Sequence, residues 1–503
     1  AAQTDPPRPS PASVRAAVAT ITETDFRQRL SVLADDSMRG RATPSPELDE
    51  TAAYVAAAFR HFGLAPGGDS GSFIQRYPVR RIAPDSDDAL VATGPGVESR
   101  WGLGSSFLVA EGQLPEGLTN APAVLMVGLA GDSVHPFGDV DVRGAVVFQM
   151  LPLAAQREQA RLLRTVAQGA AAGARAWVFL FNVPQAYFAA RARDALAPRY
   201  EVPGLRGLIP VPLLLMRDSS AADVLRAAGE DLLALRDTSL HAVRPLRGVT
   251  VSRTGRDVVA LETTAPNVVG ILEGGDPRLA DEYVLVTGHM DHVGVTGGGQ
   301  GCVARGADSI CNGADDDGSG TVGVVQLAQA FARLTPHPAR TMIFVTVSGE
   351  ERGLWGSAWF ADHPARPLAQ AAADLQMDMI GRNSRDSIAV VGMEHSTLRG
   401  FVLRADSAHP ELGMRLVDDP EHGRYYMQSD HYSFARKGVP SAFLFNGIHA
   451  ELHQPTDELR LIDAEKAARI VRMAFYVLLD IANAAERPQW DPAARARIVD
   501  GAR

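Results

Sequence analysis

The stretch Asp281–Asp291 reads DEYVLVTGHMD, an apolar run that breaks on a glycine and delivers a histidine and an aspartate within three residues. A short continuous apolar run bounded by turn signals marks a strand buried on both faces. The construction recurs downstream. Thr341–Glu351 (TMIFVTVSGEE) runs into two glutamates, Ala373–Asp378 (ADLQMD) ends on an aspartate, Ser387–Gly392 reads SIAVVG, and Ser441–Asn446 (SAFLFN) leads through a loop to His453. Helical patterns separate them, including Thr321–Leu334 and the long closing segment Ala464–Ala484. Strands alternating with helices over Asn267–Ala482 predict an α/β fold, a doubly wound mixed sheet covered on both faces.

In such sheets ligands bind in the crevice beyond the carboxyl ends of the strands. The strand ends bring His289 with Asp291, Glu350 with Glu351, Asp378 and His453 to that crevice. Asn312–Gly320 (NGADDDGSG) adds three consecutive aspartates, Asp315, Asp316 and Asp317, just before the first of the two helices. Three adjacent like charges among small residues imply either a solvated turn or a bound cation. Each element taken singly has a bland reading: a loop histidine, a helix-start acid pair, a turn. Their common placement after strands argues against all of them at once. Two imidazoles with surplus carboxylates suit zinc, which takes N and O ligands at about 2.0–2.2 Å. The ligands outnumber the needs of one tetrahedral ion, so a two-metal site with a shared carboxylate is expected.

The remaining sequence bounds the setting. The chain has 503 residues, enough for two to three domains, with 46% hydrophobic and 21% charged residues, as in soluble globular proteins. A net charge of −10 argues against non-specific nucleic-acid binding. No apolar run reaches the roughly 18 residues of a membrane span. The start, AAQTDPPRPSPAS, is small, polar and proline-rich, and reads as a mature end left by signal-peptide removal, which predicts a secreted or periplasmic protein. Residues 1–15 are expected to be a disordered tail, and 486–503 a loosely docked one. Between them, 16–113 and 250–485 read as two parts of one domain. Residues 114–249, with strands such as APAVLMVGL and AWVFLF around an alanine-rich helix, read as a small α/β unit inserted into it. The only cysteines, Cys302 and Cys311, share the glycine-rich loop Thr296–Cys311, where a local disulfide is plausible in an exported chain.

The order GHMDH, NGADDDGSG, GEERGLWGS, DMIG and HQPTDE resembles the co-catalytic di-zinc exopeptidases of metallopeptidase family twenty-eight, which include bacterial leucyl aminopeptidases and glutamate carboxypeptidase. The middle segment resembles the β-rich protease-associated (PA) domain often inserted in that family. The resemblance implies two Zn2+ per chain. It assigns Asp316 as the bridging ligand, four residues before Gly320, with His289 and Asp378 on one ion and Glu351 and His453 on the other. Asp291 and Asp457 would stand behind the ligands and orient them. Glu350 would be the general base, and a strained, even cis, peptide is implied after Asp316. The segment Ser429-Asp430-His431 is family-like and is expected to shape the substrate pocket. Tyr425 or Tyr426 is the candidate hydrogen-bond donor to the developing oxyanion.

The implied activity is aminopeptidase cleavage of N-terminal residues from peptides. A carboxypeptidase or dipeptidase on the same scaffold is the alternative, and would need a cation such as Arg305, Arg382 or Arg424 for the substrate carboxylate. Glutaminyl cyclisation and a non-catalytic binding role both sit badly with a full ligand set and base.

Overall fold

The computed structural model describes residues 8–499, apart from 84, 86, 113, 130–135, 151–158, 206–210, 237–241, 299 and 418–421. The chain divides into two compact units, Ala1–Val79 with Thr263–Arg503, and Arg80–Glu262.

The first unit carries the crevice. Seven neighbouring strands of its larger sheet are β1 (Val258–Leu272), β2 (Tyr283–His289), β3 (Thr341–Val347), β4 (Ala371–Met377), β5 (Ser387–Val391), β6 (Arg415–Val417) and β7 (Ser441–Phe445), in the spatial order β6-β5-β7-β4-β2-β3-β1. The pairs β2/β3, β2/β4, β4/β7 and β5/β6 are parallel, whereas β1/β3 and β5/β7 are antiparallel. The sheet is therefore mixed, as the alternation of strands and helices predicts. Every residue of β2, β3, β4 and β7 is buried, which is why these strands read as unbroken apolar runs rather than alternating ones. Helices α1 (Pro46–Phe62), α2 (Gly320–Ala332) and α3 (Ala464–Asn483) contribute to one core cluster with Val286, Phe344 and Leu375 of the sheet. A second cluster gathers the side chains that point the other way, such as Leu285 and Val345, with Phe360 and Phe434. From β2 the chain passes to β3 on one side, and β4 lies on the other. The topological switch point thus falls at the end of β2, on His289.

Two expectations about the chain ends are corrected. Pro11–Val18 is a helix that begins inside the stretch expected to be a disordered tail and runs past its end. Pro11 sits in its first turn, the Ser13 amide donates to Ser10 Oγ at 3.1 Å, and Ala17 is fully buried in the main core. Residues 1–7 of that tail lie outside the described residues. At the other end Pro492–Ile498 is also a helix, capped by Asp491 and packed through Ala494 and Ile498, with Trp490 Nε1 donating to the Gly438 carbonyl. A few apolar residues spaced one turn apart dock both short helices, and the proline and arginine around them mask that signal in composition.

The second unit holds an eight-stranded sheet. Its centre, Ala121–Val127, Val146–Met150, Ala176–Phe181 and Leu213–Arg217, is parallel. Antiparallel strands flank it, among them Ala89–Gly94, Val97–Gly102 and Phe107–Glu111. These three strands lie before residue 114, so the unit begins earlier than the boundary read from composition. The sequence reads as short strand-like pieces among turns there, with nothing to mark which sheet they join. Among the described residues no helix is long and apolar enough to cross a membrane.

Candidate metal centre

His289 is the last residue of β2, Asp316 precedes α2, Glu350 and Glu351 follow β3, and Asp378 follows β4. His453 lies in the loop after β7, with a positive φ of 55°. Their side chains converge. His289 Nε2 lies 3.3 Å from Asp316 Oδ1 and 3.7 Å from Asp378 Oδ1. On the other side, His453 Nε2 lies 3.2 Å from Asp316 Oδ2 and 3.0 Å from Glu351 Oε2. Asp316 faces both groups, one carboxylate oxygen each. Ligands held about 2.1 Å from a tetrahedral ion stand about 3.4 Å from one another. The separations observed are of that size.

Two groups of donors meet this requirement among the described residues, His289/Asp316/Asp378 and His292/Asp316/Glu351/His453. His289 Nε2 and Glu351 Oε1 are buried without a hydrogen-bond partner. Orphaned buried donors and acceptors cost about 1–3 kcal/mol each, and a cation between them removes that cost. The charge balance makes the same demand. Burial opposes ionisation of Asp316, yet the imidazoles of His292, His289 and His453 hold its carboxyl well below the usual range. Burial likewise opposes a charge on His453, but Asp316 and Glu351 raise it to about 10. Without a cation the histidines must themselves supply the positive charge, so the donor set fits metal ions of the zinc type.

The three aspartates of the triplet face different partners. Asp317 turns away from the ligand groups: Oδ1 accepts from the amides of Gly320 (2.9 Å) and Met379 (3.1 Å), and Oδ2 from that of His289 (3.1 Å). One carboxylate thereby ties the starts of α2 and of the loop after β4 to the end of β2. Asp315 Oδ1 accepts from Gly381 N at 2.6 Å, and Oδ2 faces His449 Nε2 at 3.3 Å. The Asp316–Asp317 peptide bond is cis. Asp457 accepts from the amides of Asp315 and Asp316 at 3.1–3.2 Å, so it holds the backbone that presents the shared carboxylate. Asp291 accepts from Thr43 Oγ1 (2.8 Å) and the Glu350 amide (3.3 Å), while His289 Nδ1 lies nearer the Asp291 carbonyl, at 3.2 Å, than its carboxylate, at 3.7 Å. Asp291 therefore positions the Glu350 turn as much as the histidine. Burial, reinforced by Asp430, Glu351 and Asp378, pushes the Glu350 carboxyl well up, against the pull of His289.

The expected pocket residues fare less well. Tyr426 is only 4% exposed. Its hydroxyl donates to the Ser441 carbonyl at 3.2 Å, and its ring meets His431 edge-on. His431 is fully buried and stacked on Phe443 at 4.5 Å. Both are core residues rather than a substrate-facing wall, because the sheet face above β7 needs aromatic cover. Tyr425 packs against Phe445, and its hydroxyl accepts from Arg424 at 2.6 Å. Asp430 is fully buried, and burial lifts its carboxyl to about 7. Ser429, from the same segment, donates to Asp378 Oδ2 at 2.6 Å and so supports a ligand. Cys302 and Cys311 form a disulfide with Cα atoms 6.0 Å apart.

Two residues escaped the sequence reading. His292, three residues after His289 within GHMDH, joins the Glu351/His453 group. Arg41 is fully buried, and its guanidinium donates to the carbonyls of Leu33, Met290, Asn312 and Gly313 at 2.5–2.8 Å. It clamps the loop after β2 to the loop before α2, the two segments that carry His289 and Asp316.

A mixed α/β sheet whose strand ends surround a carboxylate shared between two histidine-containing donor groups defines a candidate metal-binding scaffold. Residues 267–478 match the profile of peptidase family M28. The chain is 29% identical over 262 residues to a probable zinc metalloprotease of Pyricularia oryzae, covering 43% of this chain and 50% of that protein. It is 30% identical over 189 residues to leucine aminopeptidase 1 of Coccidioides posadasii, covering 34% and 47%. The chain spans about half the length of the curated relatives it matches. Among solved structures, the aminopeptidase from Aneurinibacillus sp. strain AM-1 shares the fold with a TM-score of 0.50 and 17% identity, over 95% of this chain and 97% of that one.

Proposed function

We propose that the chain is a two-zinc exopeptidase that removes N-terminal residues from peptides, with Glu350 as general base. The observation that carries this reading is the sharing of Asp316 between the two donor groups. His289 and Asp378 would hold one ion, Glu351 and His453 the other. Bound zinc supplies Lewis acidity toward the scissile carbonyl and lowers the pKa of water. The protein's own part is positional. Glu350 lies beside the ligand Glu351 on the turn that Asp291 and Thr43 fix, and its raised pKa suits a group that accepts a proton from water and returns it to the leaving amine.

The choice of aminopeptidase rests on charge. The cations a carboxypeptidase would need are engaged: Arg382 pairs with Glu451 at 2.7 Å, Arg305 donates to Gln454, and Arg424 donates to Tyr425. The disulfide favours an exported enzyme, and the inserted unit is read as a PA domain.

The test is hydrolysis of aminoacyl-p-nitroanilides against N-blocked, C-terminally free peptides, with and without chelator. Chelator-sensitive release from the free-amine substrates is expected, and Glu350→Gln should lower kcat by about a thousandfold with metal content unchanged. Cleavage confined to N-blocked peptides, or full activity in Glu350→Gln, would overturn the reading.

A further inference from the structure

His292 is not among the ligands that the motif comparison assigns, yet its place in the fold is built around it. The residue is fully buried, and its ring meets the His453 ring edge-on at 5.5 Å. Its backbone amide donates to the Arg41 carbonyl. Gly313 leaves the room the ring occupies: φ there is +59°, and a Cβ would stand 2.4 Å from His292 Cγ. Nδ1 lies 2.8 Å from Glu351 Oε1 and 3.5 Å from Asp316 Oδ2. Neither ring nitrogen of His292 nor Glu351 Oε1 makes a well-aligned hydrogen bond, for all the shortness of the contact. A nitrogen and a carboxylate oxygen brought this close, buried and unaligned, are stabilised by a cation that both can face.

We propose that His292 is a metal ligand, so that the two ion sites are unequal: one is closed by four side chains, His292, Asp316, Glu351 and His453, and the other is left open on His289, Asp316 and Asp378. This rests on the two-ion reading above. Four side-chain donors complete a tetrahedral shell, as in sites that hold an ion permanently, whereas three leave a position for water or substrate. Two imidazoles and two carboxylates also bind a divalent ion more tightly than one imidazole and two carboxylates, one of them already shared. The closed site therefore fills first, and exchangeable coordination belongs to the open one.

The experiment is titration of the metal-free full chain with Zn2+ or Co2+, read by competition with a chromogenic chelator and by X-ray absorption at one bound equivalent. The first ion of the natural chain should show two imidazole ligands. His292→Ala should weaken first-ion binding by at least about tenfold and reduce that count to one, and His292→Gln should do the same. Circular dichroism and thermal unfolding of the metal-free forms check that the variants fold. If neither variant folds, the natural chain alone decides, since a first ion with a single imidazole overturns the proposal. First-ion affinity and imidazole count unchanged in a folded variant also overturn it, while leaving two-ion catalysis standing. Failure of the natural chain to take up any metal would remove both readings together.

Discussion

A histidine sealed among aromatic rings is a liability in acid, and His431 is one. Burial holds its pKa at about 3, against about 6.5 in an unfolded chain. Between those values the unfolded state binds a proton there that the native state does not, so stability falls as pH falls through that window. The slope from this residue is on the order of 1.4 kcal/mol per pH unit. His431→Phe keeps the stack on Phe443 and removes the titration, so urea unfolding of the variant should lose less stability between pH 6.5 and 4 than the parent does. Equal losses would show that His431 charges freely in the native state. At this scale legibility depended on context. Asp316 could be singled out from its triplet only through the family resemblance, which implies a bridging aspartate four residues before Gly320. His292 could not, because a second histidine near the first reads as a spare until Gly313 is seen to leave space for it. Arg41 lies in MRGRATP, where nothing in the sequence announces that its guanidinium will meet four carbonyls.

The loop Thr296–Cys311 is the element most particular to this chain. It runs from the end of the GHMDH segment to the aspartate triplet, and its Cys302–Cys311 link packs with Val293. The Cys311 amide donates to Gly294, pinning the loop's end beside its beginning. Closing so short a loop contributes about 2–3 kcal/mol, localised next to Asn312 and the Asp316 turn. Cys302→Ser with Cys311→Ser, or reduction without denaturant, should lower the thermal midpoint by several degrees and weaken peptide hydrolysis. No change in either quantity would show the link to be idle. Strands β2, β3, β4 and β7 were legible because burial on both faces writes them as apolar runs. The C-terminal helix was not, since Ala494 and Ile498 are too few to mark a periodicity.

For the whole molecule, the arrangement of strands explains why scattered motifs converge. β3 and β4 flank β2 in parallel, and β7 lies beside β4, so the residues following four strands meet at one end of the sheet. That convergence was readable before any coordinates, from the order of acids and histidines after apolar runs. The extent of the inserted unit was less so, because the short strand-like pieces between Ala89 and Glu111 do not show which sheet they join until they pair. The central claim is that one carboxylate, Asp316, is shared by two ions. Diffraction from crystals of the zinc-loaded chain, recorded at the zinc absorption edge, tests it most directly. The account predicts two anomalous peaks about 3.5–4 Å apart, one beside each Asp316 oxygen, with His289 and Asp378 at the first and His292, Glu351 and His453 at the second. A single peak, or two that do not share Asp316, would contradict it.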